Sequence, residues 1–257
     1  MSKHAALNFI VYRPPPSAVE LISTALKLSR AELKRLLGDG RHTRLIIEAA
    51  AQIGIAAAQV LLGRMLLEGA GGLKDEAAAY CWFQRAAARG DTDASNMVGR
   101  CLENGWGVAV DLKQAARCYR RAAQAGDSWA QYNLGHLYLN GQGVRRDPIE
   151  ALHWYQQSAR QGHARAMNLV ARCYEQAWGV ARDPEQAASW YRSSAEAGYF
   201  RGQYNYASVL MSRGRQSDAL AWLGRALDQA PPRTRELMRA SAAGWGAGLA
   251  SCVASAS

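Results

Sequence analysis

Residues that could support catalysis or bind a metal are present in this chain but form no recognisable constellation. The five His residues are scattered, and no pair stands at the spacing of metal ligands. Glycine-rich stretches such as Gly105-Trp106-Gly107 lack the full dinucleotide-binding or P-loop spacing. The sequence also lacks a Gly-x-Ser-x-Gly nucleophile motif. We therefore predict that the protein is not an enzyme, that it uses no cofactor or metal and that it has no small-molecule substrate.

Polar residues suited to peptide binding recur instead at intervals of 36. One series is mainly cationic and contains Arg64, Arg100, His136 and Arg172, and the other, one helical turn earlier, contains Asn96, Tyr132, Asn168 and Tyr204. Arg grips carboxylates with a fork of donors, whereas Asn can pair with both groups of a peptide bond. Tyr adds apolar contact area at a small entropic cost. Because the interval is fixed, each series predicts a ladder along one surface; the alternative is a solvated polar surface without a ligand.

The same interval of 36 organises the elements that position these residues. Small residues recur at Gly63, Gly99, Gly135, Ala171 and Ala207, and acidic residues recur at Asp75, Asp111, Asp147 and Asp183. Each unit contains two stretches with helical spacing of apolar residues, separated by a glycine-rich loop. Asp then serves as the N-cap of the second helix, with Pro148 and Pro184 at the first helical position, and Gly90, Gly126, Gly162 and Gly198 suit a left-handed residue at its end. The pattern predicts helical hairpins that stack as an α-solenoid.

These columns resemble the Sel1-like repeat, a longer relative of the tetratricopeptide repeat. The signature reads Ala130…Leu134-Gly135…Tyr138…Gly141-Gln142-Gly143-Val144…Asp147…Ala151…Trp154-Tyr155…Ala159…Gly162. It occurs four times over residues 57–200. The resemblance implies an all-α fold, an α-solenoid of stacked antiparallel helix hairpins. It also implies that the two polar series line a concave groove that binds a protein or peptide, as in a scaffold or adaptor.

The two ends of the chain depart from this pattern. Residues 1–56 are predicted to hold an N-terminal helix over 17–28 and a degenerate leading repeat, whose two helices include residues 29–37 and 43–53. Residues 201–231 look like an ordinary tetratricopeptide repeat without the glycine loop. Residues 232–257 are predicted to form a capping helix, about 234–241, and a flexible tail.

Some members of the family that these columns resemble are secreted, disulfide-bonded proteins described as β-lactamases. They carry a disulfide pair in every unit, whereas only the second unit here has two cysteines, Cys101 and Cys118. We predict that these thiols are small buried side chains. Trp106 and Trp178 occupy corresponding loops and are expected either to pack against the adjacent loop or to contact a ligand.

The formal net charge of +10 first suggests an anionic partner. The excess is divided unevenly, with +4 in residues 1–56, +2 in 57–200 and +4 in 201–257. The alternative function is therefore binding of a nucleic acid or an anionic membrane surface through the basic ends, which include Arg30, Lys34, Arg35, Arg233, Arg235 and Arg239. We do not favour it, because such charges usually belong to solvated helix surface.

The beginning of the sequence does not resemble a secretory signal, because its short apolar stretch is followed at once by Arg13 and three prolines. The odd number of cysteines suits reduced thiols. We therefore predict a cytoplasmic protein. The identity of its partner and its oligomeric state do not follow from the sequence.

Overall fold

The computed structural model describes residues 40–245, and in this part the chain forms twelve α-helices, one short 3₁₀ helix and no strand. In chain order the helices are α1 (Gly40–Gln52), α2 (Ala56–Glu68), α3 (Glu76–Ala88), α4 (Thr92–Asn104), α5 (Leu112–Gln124), α6 (Ser128–Asn140), α7 (Pro148–Arg160), α8 (Ala164–Gln176), α9 (Pro184–Glu196), α10 (Phe200–Ser212), α11 (Gln216–Gln229), α12 (Pro232–Ala242) and the 3₁₀ helix Ala243–Trp245. The helices predicted over 17–28 and 29–37, and residues 246–257 of the predicted tail, lie outside the described residues.

The chain divides into two compact units, one ending at Asp111 and the other beginning at Leu112. In the described part of the first unit, each helix from α1 to α4 packs against the next. In the second unit the same holds from α5 to α12, and α8 also contacts α10. Helix pairs stacked in sequence confirm the predicted all-α solenoid class.

Local sequence signals set the helix ends. The Asp147 carboxylate accepts hydrogen bonds from the backbone N–H groups of Ile149 and Glu150 at 3.0 and 3.1 Å, and Pro148 is the first residue of α7. Asp183 and Pro184 repeat this arrangement at the start of α9. At the other end of α7 and α9, Gly162 and Gly198 have φ angles of +86° and +82°. The predicted N-caps and left-handed glycines are therefore confirmed at these helices.

A small residue in the first helix of a pair accommodates the buried aromatic ring of the second. A Cβ atom on Gly135 would lie 2.6 Å from Cε1 of Tyr155, whose side chain is fully buried. A Cβ atom on Gly63 would likewise lie 2.5 Å from Cε1 of Phe83. These distances are far below van der Waals contact, so the helices pair this closely because the first helix lacks a side chain there.

The glycine-rich loops pack on the preceding helix pair and not around a phosphate. A Cβ atom on Gly107 would lie 2.1 Å from the carbonyl oxygen of Glu76, at the start of α3. A Cβ atom on Gly143 would lie 2.1 Å from the carbonyl oxygen of Leu112, and one on Gly179 would lie 2.2 Å from that of Pro148. The second glycine of each loop is therefore needed for a close backbone approach between successive repeats.

The buried cysteines are structural. Cys101 and Cys173 are fully buried, whereas Cys118 is only half-buried, contrary to the prediction; the four described cysteines are free thiols. Burial raises the pKa of each of these two thiols to about 12, although the neighbouring Arg100 and Arg172 act in the opposite direction. Neither thiol is therefore ionised near neutral pH, which suits the predicted role of a small apolar side chain.

Candidate peptide-binding pocket

The second unit contains a concave pocket of about 530 Å³. Helices α6, α8 and α10, which are the first helices of successive pairs, provide most of its surface, and α12 provides one further wall. Five of the eight residues predicted to bind a peptide line this pocket: Tyr132, His136, Asn168, Arg172 and Tyr204.

The other three predicted residues lie in the first unit, where contacts within that unit hold them. Nη2 of Arg64 donates hydrogen bonds to both carboxylate oxygens of Asp93 at 2.8 Å. Asn96 is buried, with 4% of its surface exposed. The Arg100 guanidinium lies 5.0 Å from the centre of the Trp106 ring.

The pocket also contains residues that the sequence reasoning missed. Arg165 and Arg201 lie at its edge, and their spacing of 36 residues could have revealed them as a further column. Leu237 and Met238 come from α12, which lies outside the repeat pattern, so periodicity gave no signal for them. Trp245 of the 3₁₀ helix does not line the pocket, but its ring stacks on the pocket residue Tyr204 at 5.7 Å with an angle of 23° between the rings.

Aromatic rings fix the positions of two pocket arginines. The Arg172 guanidinium lies 4.9 Å from the centre of the Trp178 ring, and Arg165 lies 5.4 Å from Trp129 and 5.8 Å from Tyr199. The first pair repeats the Arg100–Trp106 contact, so each loop tryptophan contacts an arginine of its own repeat. Since cation–π contacts restrict a flexible side chain, these arginines are held in place before any ligand binds.

Two amide side chains meet on the wall formed by α8 and α10. Nδ2 of Asn205 donates to Oδ1 of Asn168 at 2.8 Å. Within residues 40–245, the other side-chain atoms of this pair, Nδ2 of Asn168 and Oδ1 of Asn205, make no hydrogen bond. Both residues line the pocket. One free donor therefore lies near one free acceptor, which is the complement of a peptide group.

Burial keeps His136 and Tyr132 uncharged at neutral pH. Burial, and to a smaller extent the charge of Arg172, lowers the pKa of His136. Burial is also the main reason why the pKa of Tyr132 is raised. Glu175 accepts a hydrogen bond from the Tyr191 hydroxyl at 2.9 Å. The charged groups of the pocket are therefore three arginines and one glutamate.

His163 is the N-cap of α8 and supports the residues beside the pocket. Its Nδ1 accepts a hydrogen bond from the Ala166 backbone N–H at 3.3 Å, and its ring contacts Trp129 and Tyr132. Burial, followed by the charge of Arg165, lowers the pKa of His163 from 6.5 to about 4. The unprotonated ring is the form that caps the helix.

Acidification should therefore destabilise the protein through His163. Between pH 6.5 and pH 4 the unfolded chain binds a proton that the folded chain does not, so the stability contributed by His163 is complete above pH 6.5 and falls as the pH is lowered through this window. We expect His163→Asn, which retains a capping oxygen, to show a shallower loss of unfolding free energy over the same range. Urea denaturation across this pH range measures the difference. Parallel pH profiles for the two proteins would contradict the assignment.

Other predicted features of the sequence can be located in the described residues. Among the basic residues near the C-terminus, Arg233 is exposed, whereas Arg235 is half-buried and donates to the Ala230 carbonyl oxygen at 3.2 Å. Arg30, Lys34 and Arg35 lie outside the described residues. Within residues 40–245 no group of three His, Cys, Asp or Glu residues could hold a metal ion. None of the described helices has the length and apolar character needed to cross a membrane.

Helix pairs repeating every 36 residues, with a pocket on their first helices, define a helical-repeat protein of the α-solenoid class. The chain belongs to the Sel1 repeat family, whose model matches residues 56–91, 92–127, 130–163 and 164–199, more than half of its length. The Sel1 repeat fold is commonly a scaffold for protein interactions and is typically non-catalytic. No curated protein matches the chain.

Solved structures show the same fold. A Sel1 repeat protein from Oxalobacter formigenes superposes with a TM-score of 0.72 at 26% identity, over 82% of this chain and 85% of that one. A protective antigen of uropathogenic Escherichia coli superposes with a TM-score of 0.68 at 24% identity over 93% of this chain, which spans 56% of the antigen's length. An immunity protein from Pseudomonas aeruginosa gives a TM-score of 0.51 at 18% identity, over 68% of this chain and 66% of that one.

Proposed function

We propose that this protein is a non-catalytic scaffold that binds a peptide segment of a partner protein in the pocket of its second unit. The convergence of five predicted residues on one pocket carries the proposal. Their chemistry supports it, because the pocket combines cationic, amide and aromatic groups on rigid helices. Arg64, Asn96 and Arg100 of the first unit remain a prediction for further contacts with the same partner.

Affinity capture with charge-reversed variants tests this proposal. Arg172→Glu should lose the pocket's ligands, because Arg172 lines the pocket. Arg145→Glu is the matched control, since this exposed arginine undergoes the same change of charge outside the pocket. Arg64→Glu, compared with both, measures any contribution of the first unit. Recovery of every partner by Arg172→Glu at the level of the control would reject the pocket as the binding site.

A further inference from the structure

We infer that the ligand of this pocket is acidic, a linear peptide segment whose Asp or Glu side chain lies among Arg165, Arg172 and Arg201. The inference rests on the proposed function, because it names the chemistry of the partner for the same site. It goes further because it adds Arg165 and Arg201, which the sequence analysis did not single out, to the residues that bind the ligand. It also proposes that α12 contacts the ligand.

The first observation is an imbalance of charge. Arg165, Arg172 and Arg201 line the pocket, and Glu175 is its single acidic residue. None of the three arginines forms an ion pair with a carboxylate within residues 40–245. The pocket therefore presents cationic donors whose natural counterpart is a carboxylate from outside.

The second observation is that two of these arginines occupy positions that disfavour a cation. Arg165 and Arg201 are the second residues of α8 and α10, and neither helix has an acidic residue in its first turn. The positive end of the helix dipole repels a cation there and favours an anion. In α4 the corresponding position holds Asp93, which suits the dipole. These two pocket arginines thus reduce fold stability while raising the affinity of the pocket for an anion.

The third observation distinguishes a peptide from a phosphate-containing ligand. Asn168 has only 5% of its surface exposed, yet its amide nitrogen has no partner among the described residues and it lines the pocket beside Asn205. A peptide group satisfies both this donor and the Asn205 acceptor, whereas a phosphodiester group offers only acceptors. On the α12 side, Leu237 is 65% exposed and borders the pocket with Met238. An acidic residue with an apolar neighbour complements these surfaces.

Selection from a random dodecapeptide library displayed on phage tests the inference with the complete chain. Peptides retained by the wild type should be enriched in Asp and Glu relative to the unselected library. For the strongest such peptide, Arg165→Glu combined with Arg201→Glu should weaken binding by about tenfold or more. Both new glutamates stand where the helix dipole favours them, so this variant should remain folded. Arg145→Glu combined with Arg182→Glu, with the same change of charge at two exposed loop positions outside the pocket, should bind like the wild type.

Ser208→Trp separates failure of the inference from failure of the proposed function, because Ser208 is exposed and lines the pocket. Peptides without acidic enrichment, whose binding Ser208→Trp abolishes, would overturn the acidic ligand but retain the pocket as a peptide site. Peptides that bind Ser208→Trp as well as the wild type would overturn both, as would recovery of no peptide. Arginine-dependent binding of a fluorescent oligouridylate without acidic peptides would identify a nucleic acid and also overturn both.

Discussion

Replacing Gly143 with alanine is expected to lower the free energy of unfolding by roughly 3 kcal/mol or more. Gly143 has a φ angle of +68°, and a Cβ atom there would lie 2.1 Å from the carbonyl oxygen of Leu112. The opposing atoms belong to the backbone at the start of α5, so no side-chain rotation can relieve the overlap. The substitution must separate two successive repeats or distort the loop. Urea denaturation followed by far-ultraviolet circular dichroism measures the loss.

Gly162→Ala is the matched control, because its φ angle is +86° but a Cβ atom would meet nothing within 4 Å. Only the backbone cost of about 1–2 kcal/mol applies there. Ala177 already adopts a φ angle of +56° at the end of α8, so alanine is compatible with this conformation in the fold. Equal losses for Gly143→Ala and Gly162→Ala would show that the close backbone approach does not contribute to stability.

Replacing Tyr155 with alanine should have a comparable or larger effect. Tyr155 is fully buried, and its ring lies beneath two residues of the pocket, 5.5 Å from the His136 ring and 6.3 Å from the Tyr132 ring. Removing a buried aromatic ring costs about 3–5 kcal/mol in comparable cores. Since the lost ring supports the pocket wall, peptide affinity should fall together with stability. Thermal denaturation and peptide titration of the same preparation measure both effects.

Tyr155→Phe should be neutral or slightly stabilising. The Tyr155 hydroxyl is buried and has no hydrogen-bond partner within residues 40–245, so the substitution removes a polar group that folding has desolvated. Tyr191→Phe, at the corresponding position of the next repeat, should instead destabilise, because that hydroxyl donates to the Glu175 carboxylate at 2.9 Å. A clear loss of stability in Tyr155→Phe would contradict this description of the core.

The sequence predicted the repeat units well because their signals are local and recur. An Asp-Pro pair starts a helix both at Asp147 and at Asp183. A glycine such as Gly63 or Gly135 makes room for the aromatic ring that follows 20 residues later in the same repeat. The five pocket residues could also be predicted from the sequence, since a fixed period places equivalent positions on one surface. For the same reason the phosphate-loop interpretation could be rejected before the structure was known.

The other features of the site could not be predicted, because they depend on contacts between residues that the 36-residue repeat does not relate. The pairing of Arg64 with Asp93 joins side chains 29 residues apart, on the first helices of two successive pairs. The wall contributed by Leu237 and Met238 comes from α12, whose sequence lies outside the repeats and whose position is set by packing against α11. Helix α12 covers residues 234–241, where the sequence predicted a helix, but nothing in its composition indicated that it borders the pocket.

Site-specific photocrosslinking tests most directly whether the pocket is the binding site. The photoreactive residue p-benzoylphenylalanine is placed at Ser208, which lines the pocket, or at Ser189, an exposed serine of α9 outside it. Irradiation in the presence of the captured partner should give a covalent adduct from position 208 and none from position 189, with the attached peptide carrying Asp or Glu. An adduct from position 189, with none from position 208, would place the partner on another surface and contradict the proposed function.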